Sequence, residues 1–144
     1  MSTIALRAAT SSDIHTILAF WGAAAEDAHR PADTAEAIES VIGRDPGAVI
    51  LAIDEDTDDR ALVGTVIAGW DGWRCHIYRL AVSPDRRRSG IGRRLLQAAA
   101  QRFAELGGGR ADAMVLDRND LAHSAWKANG YAQQPEWSRW VKPL

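Results

Sequence analysis

Hydrophobic positions change their spacing several times along the chain, and each change marks an element. Residues 3–10, TIALRAAT, read as a short strand. Thr10 and Asp13 then stand at capping-box spacing, and Ile14, Ile17, Leu18 and Trp21 follow at the i, i+3, i+4, i+7 positions of one helical face. A second helix over 34–43 turns Ile38, Val41 and Ile42 inward behind a cap at Asp33 or Thr34. Residues 47–54 and 61–70 are apolar and β-branched, the pattern of two strands. The acidic stretch DEDTDDR between them reads as a solvated hairpin tip. Asp71-Gly72 makes a two-residue turn into a third such strand, RCHIYRLAV, over 74–82. Alternation along it puts His76, Tyr78, Leu80 and Val82 on one face and Cys75 on the other.

Beyond Val82 the period becomes helical. Ile91, Leu95, Leu96, Ala99, Phe103 and Leu106 line one side, and the glycines at 107–109 stop the helix. Residues 111–117 predict a further strand and 119–130 a helix ended by Asn129-Gly130. The tail, 131–144, predicts one or two antiparallel strands. The order β-α-α-β-β-β-α-β-α-β-β describes an α/β fold, a mixed sheet with helices on its faces. At 144 residues without a linker or repeat, residues 1–144 are expected to form a single domain.

Composition narrows the classes. With 47% hydrophobic and 25% charged residues the chain is made like an ordinary globular protein. No apolar run approaches the roughly 18 residues of a membrane span, so no membrane partner is expected. The N-terminus lacks the basic-then-apolar layout of a signal peptide. Cys75 is the only cysteine, which excludes an intrachain disulfide and suits a reducing cytoplasm. No Cys/His cluster suggests a metal.

Charge changes the picture at one place. The net charge is -2, yet five of seventeen basic residues lie between Pro84 and Arg94, in VSPDRRRSGIGRRLL. They surround Gly90 and Gly92, where a strand gives way to a helix. Backbone N–H groups at a helix start are unpaired and the dipole is positive there. Glycine removes the Cβ atoms that would hold a phosphate off the backbone. The combination is a nest for phosphate or pyrophosphate, or else a basic surface turn. A Walker loop needs a lysine and a spacing that are missing, and GIGRRL lacks the third glycine of a dinucleotide loop. Nucleic acid as the partner is disfavoured by the acidic net charge and the embedded glycines.

Arg87-Arg88-Ser89-Gly90-Ile91-Gly92 has the form R-x-x-G-x-G after a strand ending LAV, and it resembles the acetyl-CoA motif of the GNAT superfamily of N-acetyltransferases. Asn119, the helix after it and Gly130-Tyr131 resemble that family's second signature. The resemblance runs from about residue 3 to 143. It includes small stand-alone bacterial members such as ribosomal-protein-alanine acetyltransferases. It implies a mostly antiparallel central sheet whose one parallel strand pair splays to admit acetyl-CoA. It implies that Leu80, Ala81 and Val82 offer backbone groups to the pantetheine arm. The amides from Arg87 through Arg93, including those of Arg88, Ser89, Gly90, Ile91 and Gly92, would hold the pyrophosphate. Asn119 would contact the cofactor, and Trp126 would pack on the pantetheine or the core.

The implied reaction is aminolysis of a thioester. The acceptor amine must be deprotonated before it attacks, and the departing thiolate benefits from a proton. His76 falls where histone-acetylating relatives carry a glutamate base, and an imidazole suits that role directly or through a water. Trp126 stands where many relatives carry a tyrosine acid, a departure from the family pattern. That leaves Tyr78, on the expected face of His76, as the candidate acid, unless the thiolate leaves unaided. Cys75 and Tyr131 read as core residues, and His123 as solvent-exposed.

The resemblance implies as acceptor an amine of a small molecule or amino acid, or a protein N-terminus or lysine. Glu26, Asp27, His29 and Arg30, with Trp70 and Trp73, are candidate lining residues. The replaced tyrosine also suits a non-catalytic acyl-CoA sensor. A monomer or homodimer is expected.

Overall fold

Val49–Asp54 (β2) is buried along all of its six residues, so this strand must be covered on both faces. The computed structural model describes residues 3–24 and 31–144. They form two compact units, Met1–Met114 and Val115–Leu144. Glu26, Asp27, His29 and Arg30 lie outside the described residues.

In the first unit, Ile4–Ala8 (β1), β2, Leu62–Trp70 (β3), Cys75–Val82 (β4) and Ala111–Ala113 (β5) build one sheet in the order β1-β2-β3-β4-β5. The first four strands run antiparallel to their neighbours and β5 runs parallel to β4. Helices Ile14–Ala24 (α1) and Ala35–Arg44 (α2) cover one face. Their Ile17, Trp21, Ile38 and Ile42 meet Val49, Leu51, Ile53 and Ala81 in a common core. Each buried Ile or Leu there contributes about 1.5–3 kcal/mol over exposure. Thr34 caps α2, its Oγ1 accepting from the Ala37 amide at 3.1 Å.

Ile91–Glu105 (α3) covers the opposite face with Ile91, Leu95, Leu96, Ala99 and Phe103 buried. It lies close to β3. A Cβ on Gly64 would stand 2.9 Å from Ile91 Cγ2 and 3.0 Å from Leu95 Cδ1, so only glycine admits the helix there. Cys75 is buried, and loss of hydration pushes its thiol above the usual range.

The second unit contains one helix, Asp120–Ala128 (α4), capped by the Asn119 side chain, which accepts from the Ala122 amide at 3.1 Å. Trp126 and Tyr131 pack edge to face, ring centroids 4.8 Å apart. His123, expected in solvent, is half-buried, and its Nε2 lies 3.0 Å from the Leu116 carbonyl oxygen.

Four further expectations are corrected. Residues 111–117 yield only a three-residue strand, and 131–144 contain none. A strand is made by its ladder, and a local sequence pattern supplies no partner: Trp137 and Trp140 are exposed. The acidic hairpin tip is not wholly solvated either. Asp54 is 1% exposed, and its carboxylate meets Arg86 Nη2 at 2.6 Å. Nor does alternation hold through 74–82. Ile67 pairs with Tyr78 but Thr65 with Ala81, so Arg79 and Leu80 together stand opposite Val66. The bulge shifts every later side chain by one place. Tyr78 and Ala81 therefore share a face, whereas Val82 turns toward α3, 3.7 Å from where a Gly92 Cβ would lie.

Candidate functional site

The bulge is held from both ends. Arg79 has φ +53°, a conformation that costs a non-glycine residue about 1–3 kcal/mol unless its surroundings enforce it. Its carbonyl accepts from Thr65 Oγ1 at 2.8 Å, and that buried hydroxyl accepts from Trp21 Nε1 at 2.9 Å. The Arg79 guanidinium pairs with Asp33, Nε to Oδ1 at 2.9 Å, and lies over the Trp21 ring. A satisfied buried network of this kind tolerates local strain.

Just before the bulge the parallel pair ends. Cys75 faces Ala111, His76 faces Asp112, Ile77 faces Ala113, and the pairing stops. The β4–β5 ladder thus ends before Tyr78. On the β3 side the ladder continues, with Ala81 opposite Thr65 and the Ser83 amide donating to Val63 O at 2.9 Å. Because alternate residues address opposite edges, the backbone N–H and C=O of Val82 face the edge that β5 has left.

From Val82 the chain makes a short 3-10 turn, Pro84–Arg86, and enters α3 through Gly90. Arg88 has φ +63° and Gly90 φ +84°, so successive amides curl around one point instead of running on as a strand. At Gly90 the positive φ calls for glycine, although a Cβ would meet nothing within 4 Å. At Gly92 the backbone is helical and a Cβ would make only an ordinary 3.7 Å contact with Val82. Neither conformation nor packing demands glycine there, and its absent side chain leaves the backbone amides open to a group approaching from outside. The residues therefore fit a pyrophosphate group. The five arginines divide. Arg86 turns inward to Asp54 and Arg94 Nη1 donates to the Ile4 carbonyl at 2.7 Å, whereas Arg87, Arg88 and Arg93 are exposed.

His76 and Tyr78 lie on the sheet face that carries α1 and α2, with their rings stacked at 6.0 Å and 28°. His76 Nε2 is 3.5 Å from Asp71 Oδ2. The Asp71 Oδ1 accepts from the Trp73 and Arg74 amides at 2.8 and 2.6 Å. Those amides hold its carboxyl below the usual range, so it stays ionised beside the imidazole. Asp112, opposite His76 in the β4–β5 register, is likewise held low by Arg110. Sequence reasoning read Asp71 only as a turn residue. The signal was available in its spacing: a turn folds strand 74–82 back so that Asp71 returns beside His76.

Leu80 thus lies within the bulge, Ala81 and Val82 just beyond it, and residues 87–93 form the turn that leads into α3. The structure brings His76 and Tyr78 together, and separates their face from that of Val82. In the second unit, Asn119 Oδ1 is engaged in capping α4 and Trp126 is packed on Tyr131. Burial raises the Tyr131 phenol above its usual range, which makes it a poorer proton donor. No cluster of metal-ligating side chains occurs among the described residues.

A family model described as acetyltransferase (GNAT) family matches residues 14–131 and crosses both units. Acetyltransferase YE1169 of Yersinia enterocolitica is 28% identical over 130 residues, covering 90% of this chain and 88% of that protein. Among solved structures, AAC(6')-Iy in complex with the bisubstrate analogue CoA-S-monomethyl-acetylneamine superposes with a TM-score of 0.74. It is 14% identical and covers 99% of this chain and 100% of its own. The ribosomal-protein-S18-alanine N-acetyltransferase from Escherichia coli superposes with a TM-score of 0.69 at 17% identity, covering 89% and 77%. At such identities the two structures share the fold with this chain.

Proposed function

The chain belongs to the acetyltransferase (GNAT) family and is an N-acetyltransferase that takes acetyl-CoA as its acyl donor; from this premise we propose that it acetylates a primary amine on a small molecule or amino acid. The same chemistry on a peptide or protein, at an N-terminus or lysine, is the second reading. One observation carries the assignment of the donor site: a parted strand leads directly into a helix opened by Gly90 in the left-handed region. The free edge of Leu80, Ala81 and Val82 receives the pantetheine arm as an added strand would. The amides from Arg87 through Arg93 take the pyrophosphate. Asn119 and Trp126 are carried over from the family signature as further cofactor contacts. A free, buried Cys75 suits a reducing cytoplasm as the place of action.

Bound acetyl-CoA supplies the activated acyl group. A β4 backbone amide near the open edge polarises the thioester carbonyl, an interaction whose loss typically costs about 10²–10³ in rate. His76 takes the proton from the acceptor ammonium, directly or through a water. Asp71, 3.5 Å from its Nε2, fixes the ring and complements the imidazolium that forms. Tyr78, stacked beside it, is the nearest phenol to return a proton to the thiolate. Asp71 and Asp112, both favouring the ionised form, support a cationic acceptor.

Incubated with acetyl-CoA and a panel of amino acids, polyamines, aminoglycosides and N-terminal peptides, the protein should release thiol fastest with a small cationic amine. Faster turnover of peptides would select the second reading. Tight CoA binding without turnover of any acceptor would point to a sensor.

Gly92→Ala separates ligand approach from packing. The unliganded protein should melt no lower than the wild type, since the Cβ is accommodated and alanine favours helix. Its Kd for CoA should rise about tenfold, or 1.4 kcal/mol. Calorimetry that finds unaltered affinity would remove Gly92 from the nest.

A further inference from the structure

We propose that Asp54 and Arg86 are positioning residues of the donor site, a buried strut that holds the pyrophosphate nest in its binding shape. The proposal rests on the reading of that nest given above. Asp54 closes β2, two strands away from β4, and is 1% exposed. Its Oδ2 receives Arg86 Nη2 at 2.6 Å and its Oδ1 accepts from the Asp56 amide at 2.9 Å. Arg86 is the last residue of the 3-10 turn that follows β4. The pair therefore reaches past β3 and ties the turn to a different strand.

Two shorter links act on the same turn. The Arg86 amide donates to Ser83 O at 2.9 Å, and the Ser89 hydroxyl donates to the Arg86 carbonyl. Arg86 is thus held by its side chain, its amide and its carbonyl, immediately before the two residues with positive φ, Arg88 and Gly90. The loop needs such support. It packs five arginines into eleven positions, from Pro84 to Arg94, and their mutual repulsion opposes a tight curl. A buried carboxylate beneath them draws one guanidinium inward and offsets part of that repulsion. Removing one partner of a buried pair leaves an uncompensated charge, so the two residues act as a unit. Neither touches the pyrophosphate. Their effect passes through the amides they hold in place.

The expected signature is a loss confined to donors that carry phosphate. Asp54→Asn, Arg86→Met and Ser89→Ala are compared with the wild type for CoA affinity by calorimetry. They are also compared for kcat/KM with acetyl-pantetheine, a thioester donor that lacks the phosphates. Asp54→Asn and Arg86→Met should weaken CoA binding about tenfold or more while leaving turnover of acetyl-pantetheine within about twofold of wild type. Ser89→Ala, an exposed change that keeps the core intact, should shift CoA affinity in the same direction by a smaller factor, and it serves if the buried variants do not fold. Equal losses with both donors would make the pair a general stabiliser of the fold and overturn the proposal. Unchanged CoA affinity in Ser89→Ala and in the folded variants would overturn it too. Gly90→Asp, run alongside, tells the two ideas apart. If it abolishes CoA binding while the strut variants leave it unaltered, the strut fails and the nest stands. If it has no effect either, the nest itself is misassigned.

Discussion

Gly90→Asp should abolish the thermal stabilisation that CoA confers on the wild-type protein. A ligand that binds only the native state raises stability by RT ln(1 + [L]/Kd), about 2.7 kcal/mol at a hundredfold excess over Kd. For a chain of this size that corresponds to roughly 5–10 °C in Tm. The substitution sets a carboxylate where the pyrophosphate must lie, and the repulsion acts at the positive end of α3. The fold should survive, since a Cβ at 90 meets nothing within 4 Å and aspartate tolerates the left-handed region better than most residues. Gly90→Asn is the matched control. It has the same shape and backbone demand without the charge, and should keep part of the shift. Differential scanning of the three proteins with and without CoA reads the result. A full shift in Gly90→Asp would exclude the nest as the pyrophosphate site.

His76→Gln should lower kcat/KM by about 10²–10⁴-fold while leaving CoA affinity nearly unaltered. Glutamine keeps the size and a hydrogen bond toward Asp71 but cannot take a proton from the acceptor. The nest lies beyond the bulge, and His76 itself sits in the paired stretch opposite Asp112, so donor binding is not at stake. In the wild type, log kcat/KM should rise with pH along the acidic limb, since the acceptor ammonium must lose a proton before it attacks. That limb should flatten or move in the Gln variant. His76→Ala should show the same loss, and added imidazole should restore part of it in the Ala variant alone. A Gln variant with near-full rate and an unmoved limb would assign the ionisation to the acceptor amine and leave His76 a structural role.

Much of this was open to reading from local pattern. The helical faces of α1, α2 and α3 followed from spacing alone, because a stripe of apolar residues every three or four positions has one economical burial. The turn proposed as the nest was visible for a related reason: strand, glycines and helix are adjacent in sequence, so local conformation assembles it. Its glycines and arginines lie within a dozen residues and need no distant partner to be recognised.

Tertiary structure decided what depends on residues far apart in the chain. Nothing in RCHIYRLAV marks Arg79 as the residue of positive φ; that conformation is enforced by Thr65, Trp21 and Asp33 from three other segments. The bulge then overrode alternation and parted His76 and Tyr78 from the face of Val82. Asp54 looked like one acid of a solvated loop until Arg86, thirty-two positions on, buried it. The tail, read as strand, found no ladder. Period and composition are properties of a few neighbouring residues, and they determine which elements form and where a glycine-rich turn opens a helix. Register, bulges and buried charge pairs depend on which distant groups come to share a low-dielectric interior, and only the folded chain sets those contacts.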